Sequence, residues 1–297
     1  MTERLSHTIT IQFIPRRTWL ALGPGWAVLA ATLATRKLQF QPDFWLLNST
    51  LLINLAILWF LVDPVLGTIW QLLVEQDIWH LLNTHPYPLQ TKQKPLLPYL
   101  TKNAMAYRFI TIFNSLWSQN NSLGQTLLLH LLIAFGLATV LGIPVILFVS
   151  IFIIGSFLIG QKQFATTTIK QQLWQSIAMF LLPYLVALQL INGLHLKAII
   201  LGLAYWIIYL GLLQLMAHQP KGNTLVITAQ AVIAIFLFSL TQAIAGAVVI
   251  IIMLFTLLLQ IQNKQQTPPN WQKYTMYLNP FLLIALFTTA ISIGGGG

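Results

Sequence analysis

Apolar runs separated by short polar or proline-bearing breaks make up most of this chain. Nine of them, at 18–34, 43–66, 123–141, 143–160, 172–191, 197–216, 223–241, 244–261 and 274–294, suit membrane-crossing helices. About 18 apolar residues cross roughly 30 Å of hydrocarbon as a helix, which satisfies every backbone N–H and C=O internally. The tightest breaks are predicted at Gly142-Ile143-Pro144 and near Thr241-Gln242. The one substantial non-spanning stretch is 67–122, between the second and third helices. Within it, Trp70, Leu73, Val74, Ile78, Leu81 and Leu82 recur at helical spacing, with Glu75, Gln76 and His80 projecting elsewhere. That pattern predicts an interfacial amphipathic helix over 69–82 with its tryptophans at headgroup level.

Pro86, Pro88, Pro95 and Pro98 then predict extended chain. A second short helix is expected over 101–120, with Tyr107, Phe109, Ile110, Phe113 and Trp117 as its apolar face. Gly294 to Gly297 carry no helical or anchoring logic. The pattern as a whole predicts an all-α fold, a single polytopic transmembrane bundle of about nine helices over 1–297.

Composition agrees and adds exclusions. Charged residues are 7% and hydrophobic residues 57% of the 297, whereas about a quarter of a soluble domain is charged. Residues 1–17 lack the short apolar core and small-residue cleavage site of a signal peptide, so the first span is expected to be retained. Cysteine is absent, which removes disulfides, thiolate metal sites and cysteine nucleophiles.

The net charge of +10 becomes informative once the 15 Lys and Arg are sorted by loop. With the N-terminus cytoplasmic, twelve fall on the cytoplasmic side, against Arg36, Lys37 and Lys197 on the other. This bias predicts an N-in, C-out orientation in a cell membrane, of the bacterial inner-membrane kind. The basic face suits anionic lipid headgroups, at about 1 kcal/mol per well-placed residue, and gives no reason to expect a nucleic-acid partner.

Acids are the scarce resource: Glu3, Asp43, Asp63, Glu75 and Asp77 are the five, and none lies beyond Asp77. Two segments nevertheless carry a family likeness. Arg17-Thr18-Trp19-Leu20-Ala21-Leu22-Gly23-Pro24 looks like an arginine-aromatic-proline opening of a first helix. Lys221-Gly222-Asn223-Thr224-Leu225 is similar to a Gly-Lys-Lys-Thr-Leu segment that follows a sixth helix. With the helix count and the loop after the second helix, the chain resembles the UbiA superfamily of intramembrane prenyltransferases.

The resemblance implies a UbiA-like bundle. In that family two facing aspartate clusters hold Mg²⁺ against a departing diphosphate. The first reads Asn-Asp-x-x-Asp-x-x-x-Asp at the cytoplasmic end of the second helix. Here Asp63 keeps its first aspartate, while Val62, Leu66 and Trp70 replace the Asn and the other two acids. The second, Asp-x-x-x-Asp, falls on Gln214-Leu215-Met216-Ala217-His218, which holds no acid. One carboxylate cannot assemble a two-sided clamp, so four of five implied ligands are missing unless Glu75 and Asp77 fold back over the site.

Asp63 itself reads either as a retained ligand-facing group or as an acid-proline cap that ends the span. Arg17, Lys102, Arg108, His218 and Lys221 are candidates to hold an anionic headgroup or diphosphate, although orientation signals and solvation explain them more cheaply. His130 lies inside the third span, where an imidazole can ligate a haem iron or chlorophyll magnesium. A neutral histidine bonded to a neighbouring helix is the simpler account. Asn54, Gln175, Gln189, Gln230 and Gln242 read as interhelical hydrogen bonds, about 0.6 kcal/mol each.

The expected function is a UbiA-like protein without catalysis: an accessory or structural subunit of a membrane complex, holding a quinone, carotenoid, chlorophyll-type pigment or phospholipid. The alternatives are a divergent prenyltransferase, which alone would require Mg²⁺, and an uncoupled lipid transporter. Proton- or sodium-coupled transport would call for an acid at mid-membrane, where the pattern places none.

Overall fold

A computed structural model describes residues 22–35, 49–75, 122–160, 168–191, 194–266 and 269–295. Every regular element among them is a helix. The short α1, Pro24–Leu33, precedes eight helices long and apolar enough to cross a membrane. These are α2 (Ser49–Val74), α3 (Ser122–Leu141), α4 (Ile143–Gly160), α5 (Ile169–Leu190), α6 (Leu196–Met216), α7 (Lys221–Ser239), α8 (Ala243–Lys264) and α9 (Trp271–Gly295). The described residues thus form a polytopic membrane helix bundle. Arg17, Lys102, Arg108, the proline-rich stretch and the helix expected over 101–120 lie outside them.

The breaks have local causes. Gly142, at φ +99°, takes a conformation open to glycine, and Pro144 starts α4 where a missing N–H costs little. After α6 and α7 the chain closes two Schellman turns. His218 (φ 59°) donates to the Leu215 carbonyl, and Gln219 to that of Gln214. Likewise Thr241 (φ 63°) donates to the Phe238 carbonyl, and Gln242 to that of Leu237. Each turn places a non-glycine residue in the left-handed region. At the start of α9, the Asn270 side chain accepts from the Lys273 N–H at 2.9 Å, and Asn263 of α8 accepts from the Asn270 N–H at 3.0 Å.

Two helices cross a proline without ending. Pro64 and Pro183 each lack an N–H, and each ring crowds the carbonyl four residues earlier. The chain responds by widening into π turns at Leu61–Val65 and Ile177–Leu181. Asp63-Pro64 therefore does not terminate the second span. The helix runs on to Glu75, beyond the loop start expected at 67. Trp70, expected at headgroup level, is instead fully buried, its ring centred 6.4 Å from that of Phe152 in α4. Gly294 and Gly295, expected to lack helical logic, complete α9, and Gly294 lies directly on the Leu33 carbonyl.

Two groups of helices result. Helices α6 to α9 close a four-helix bundle in which each packs on the next and α9 returns to α6. Helices α2, α3 and α4 pack together as a second group. Helices α1 and α5 join the two: α1 packs on α2, α5 and α9, and α5 on α4 and α6. On α5, Phe180 stacks between Tyr184 and Tyr209 of α6, and the Tyr184 hydroxyl donates to the Ala198 carbonyl at 2.9 Å.

Candidate functional site

Asp63 is the one carboxylate whose side chain lies among the described residues, and it is exposed. Its height in the bundle follows from its neighbours. Gly25 of α1 abuts the Trp59 indole, and the next residue, Trp26, meets Phe287 edge-on at 5.4 Å. Phe287 lies eight residues before Gly295, so Asp63, one turn beyond Trp59, falls near the midpoint of α9. The contact between Trp70 and Phe152 gives a second gauge. Phe152 is central in α4, and Asp63 lies seven residues, about 10 Å, from Trp70 toward the Gly142 end. The second gauge puts Asp63 level with the first turn of α4, and along α2 itself it lies fourteen residues from Ser49 and eleven from Val74.

Two expectations are corrected by this placement. Asp63 does not stand at the end of the second helix, and an acid does occur at depth, which withdraws one argument against coupled transport. An acid at the centre of a membrane helix costs about 2.5–3.5 kcal/mol on insertion scales. The exposed face it belongs to runs Ile53, Ala56, Phe60, Asp63, with half-buried Gly67 one turn further. Among the described residues, nothing lies within 4 Å of a Cβ built at position 67.

The implied Mg²⁺ clamp does not fit these residues. Glu75 is on the same continuous helix twelve residues past Asp63, about 18 Å along the axis, so the two cannot share an ion. Asp77 lies outside the described residues. Among the described residues, no group of three or more His, Asp or Glu could hold a metal ion.

The second implied cluster, 214–218, folds as the last turn of α6 and the left-handed turn after it. His218 is exposed and supplies the turn conformation; Lys221 is exposed as the first residue of α7. Below them α6 and α7 meet backbone to backbone. A Cβ on Gly211 would stand 2.7 Å from the Gly222 carbonyl oxygen, and a Cβ on Gly222 would collide with the Gly211 carbonyl. Small residues permit this approach, which strengthens packing in lipid where the hydrophobic effect between helices is absent.

His130 is fully buried, and its Nδ1 sits 2.7 Å from the Thr126 carbonyl of its own helix. That bond lies within α3. A carbonyl can only accept, so Nδ1 carries a proton.

Sequence reasoning missed a buried polar chain through α7, α8 and α9. The Tyr274 hydroxyl donates to Asn223 Oδ1 at 2.6 Å. Thr256 Oγ1 donates to the Ile252 carbonyl at 2.8 Å and so accepts from Gln230 Nε2 at 3.3 Å. Gln230 and Gln242 do link elements as expected, the latter accepting from Ser292 at 2.7 Å, whereas Gln189 is exposed. Nothing local in the sequence pairs Tyr274 with Asn223; only their meeting across 51 positions reveals the bond.

No protein-family model matches this chain, and no curated protein and no solved structure shows significant similarity to it.

Proposed function

We propose that this protein is a non-catalytic accessory subunit of a membrane complex, built on a UbiA-like plan and holding a lipid-soluble molecule such as a quinone, carotenoid, chlorin or phospholipid. The observation that carries the reading is the junction of α6 and α7. Where prenyl transfer would need a second pair of acids, the chain offers Gln214 and His218 on a closed turn, held down by the contact of Gly211 with Gly222. On the other helix, Asp63 and Glu75 are too far apart to substitute for a cluster. Electrostatic stabilisation of a leaving diphosphate is the main task in such chemistry, and the described side chains supply little for it.

The test is purification from native membranes in mild detergent, with mass spectrometry of the co-purifying proteins and of the extracted lipids and pigments. The reading expects a stoichiometric complex and no Mg²⁺-dependent prenyl transfer by the subunit. Recovery alone, with an isoprenyl diphosphate bound and turned over, and turnover abolished by Asp63→Asn, would overturn it.

A further inference from the structure

Four helix ends meet at one end of the α6 to α9 bundle, where α6 and α8 finish and α7 and α9 begin. They are tied in two places: Asn223 of α7 to Tyr274 of α9, and Asn263 of α8 to the Asn270 N–H just before α9. Lys221, Lys264 and Lys273 each lie within two residues of one of these bonds, and all three are exposed. The bundle has no acid with which to neutralise them, since none lies beyond Asp77 in the sequence.

At the corner of α8 and α9 the uncharged groups are donors as well. The Asn270 side chain takes the Lys273 N–H at 2.9 Å and its carbonyl takes that of Tyr274 at 3.1 Å. The N–H groups of Trp271 and Gln272, also in the first turn, are left for another acceptor. Asn263, only 5% exposed, uses its Oδ1 on Asn270, and its buried Nδ2 has no acceptor. An amide nitrogen can only donate, so this group adds to the positive end of the α9 dipole. Beside it the Lys273 Nζ lies 5.9 Å from the centre of the half-exposed Tyr277 ring, and Trp271 meets Tyr274 edge-on at 5.8 Å. Aromatic rings at the end of membrane-length helices suit headgroup level.

We propose that this corner, built from Asn263, Lys264, Trp271, Gln272 and Lys273, binds the phosphate of an anionic phospholipid, with Lys221 adding charge from α7. A phosphate diester offers only acceptors and a negative charge, which complements a corner of donors and cations. The site goes beyond the accessory-subunit reading and does not depend on it.

The test is native mass spectrometry of the detergent-purified full chain, titrated with phosphatidylglycerol or with phosphatidylcholine of the same acyl chains. The first phosphatidylglycerol should bind at least about tenfold more tightly than phosphatidylcholine. Lys264→Gln with Lys273→Gln should weaken that binding about tenfold or more. Lys170→Gln with Lys197→Gln, an equal loss of charge at exposed positions elsewhere, should change it less than about twofold. Asn263→Asp keeps an acceptor for Asn270 but exchanges the donor for a carboxylate oxygen, and should also weaken binding about tenfold. Thermal midpoints check that each variant is folded; if Asn263→Asp is not, the exposed lysine pairs decide. Equal affinity for the two lipids, equal weakening by the two lysine pairs, unchanged binding by folded Asn263→Asp, or displacement of the lipid by an equal concentration of inorganic phosphate would overturn the proposal. Recovery of a protein complex from native membranes is a separate observation, so failure here leaves the accessory reading standing.

Discussion

The bundle of α6 to α9 and the group of α2 to α4 are both helical and similarly apolar, yet they are held together differently. In the first, side chains reach across elements at several levels: Asn223 with Tyr274, Gln230 with Thr256, Tyr205 with Thr289, and Gln242 with Ser292. Gly211 and Gly222 bring two backbones into contact. In the second, the described helices pack through large apolar rings such as Trp70 of α2 and Phe152 of α4. There α2 carries an exposed acid, Asp63. The contrast separates a half tied by side-chain bonds between its helices from a half that holds an exposed acid within an apolar helix. In a membrane, where apolar surface gains nothing by leaving lipid, that difference is the informative signal.

The sharpest way to break the comparison is one substitution made in both regions. Gly222→Leu should cost about 3 kcal/mol or more of stability, since its side chain meets backbone that cannot yield. Gly67→Leu, whose Cβ meets nothing within 4 Å among the described residues, should change stability by less than about 0.5 kcal/mol. Thermal unfolding of both variants in one detergent decides the matter; equal losses would erase the distinction. Next in size is Tyr274→Phe, which leaves the buried Asn223 oxygen without its donor and should cost about 1–2 kcal/mol.

The turns supply an effect of opposite sign. His218→Gly and Thr241→Gly relieve left-handed backbone and should each stabilise by about 1 kcal/mol, read as a higher midpoint. The smallest effect belongs to the exposed acid. Asp63→Leu should change the stability of the isolated protein by about 0.5 kcal/mol or less, because the side chain is exposed. A large loss would mean that Asp63 acts within the fold rather than at its surface.

Much of this fold was legible from apolar run lengths, and the break at Gly142 fell where glycine and Pro144 said it would, because those residues act locally. The extension of α2 was not. An acid followed by proline reads as a stop, and nothing local announces that the chain widens into a π turn and continues to Glu75. That one misreading put Asp63 at a helix end and Trp70 in the headgroup layer. The roles of His218 and Thr241 were hidden for a related reason: left-handed turn positions normally announce themselves with glycine or asparagine. The contact of Gly211 with Gly222 and the bond from Tyr274 to Asn223 depend on which helices become neighbours, which run lengths do not encode.

The account turns on the depth of Asp63, and spin labels report depth directly. Nitroxides at positions 60 and 67, in the purified protein in lipid nanodiscs, are compared for relaxation by oxygen, which concentrates in hydrocarbon, and by a water-soluble nickel chelate. We predict strong oxygen and weak nickel effects at position 60, matching a label at Ile284 near the middle of α9. Strong nickel relaxation at position 60 would place Asp63 at the membrane surface and contradict the account.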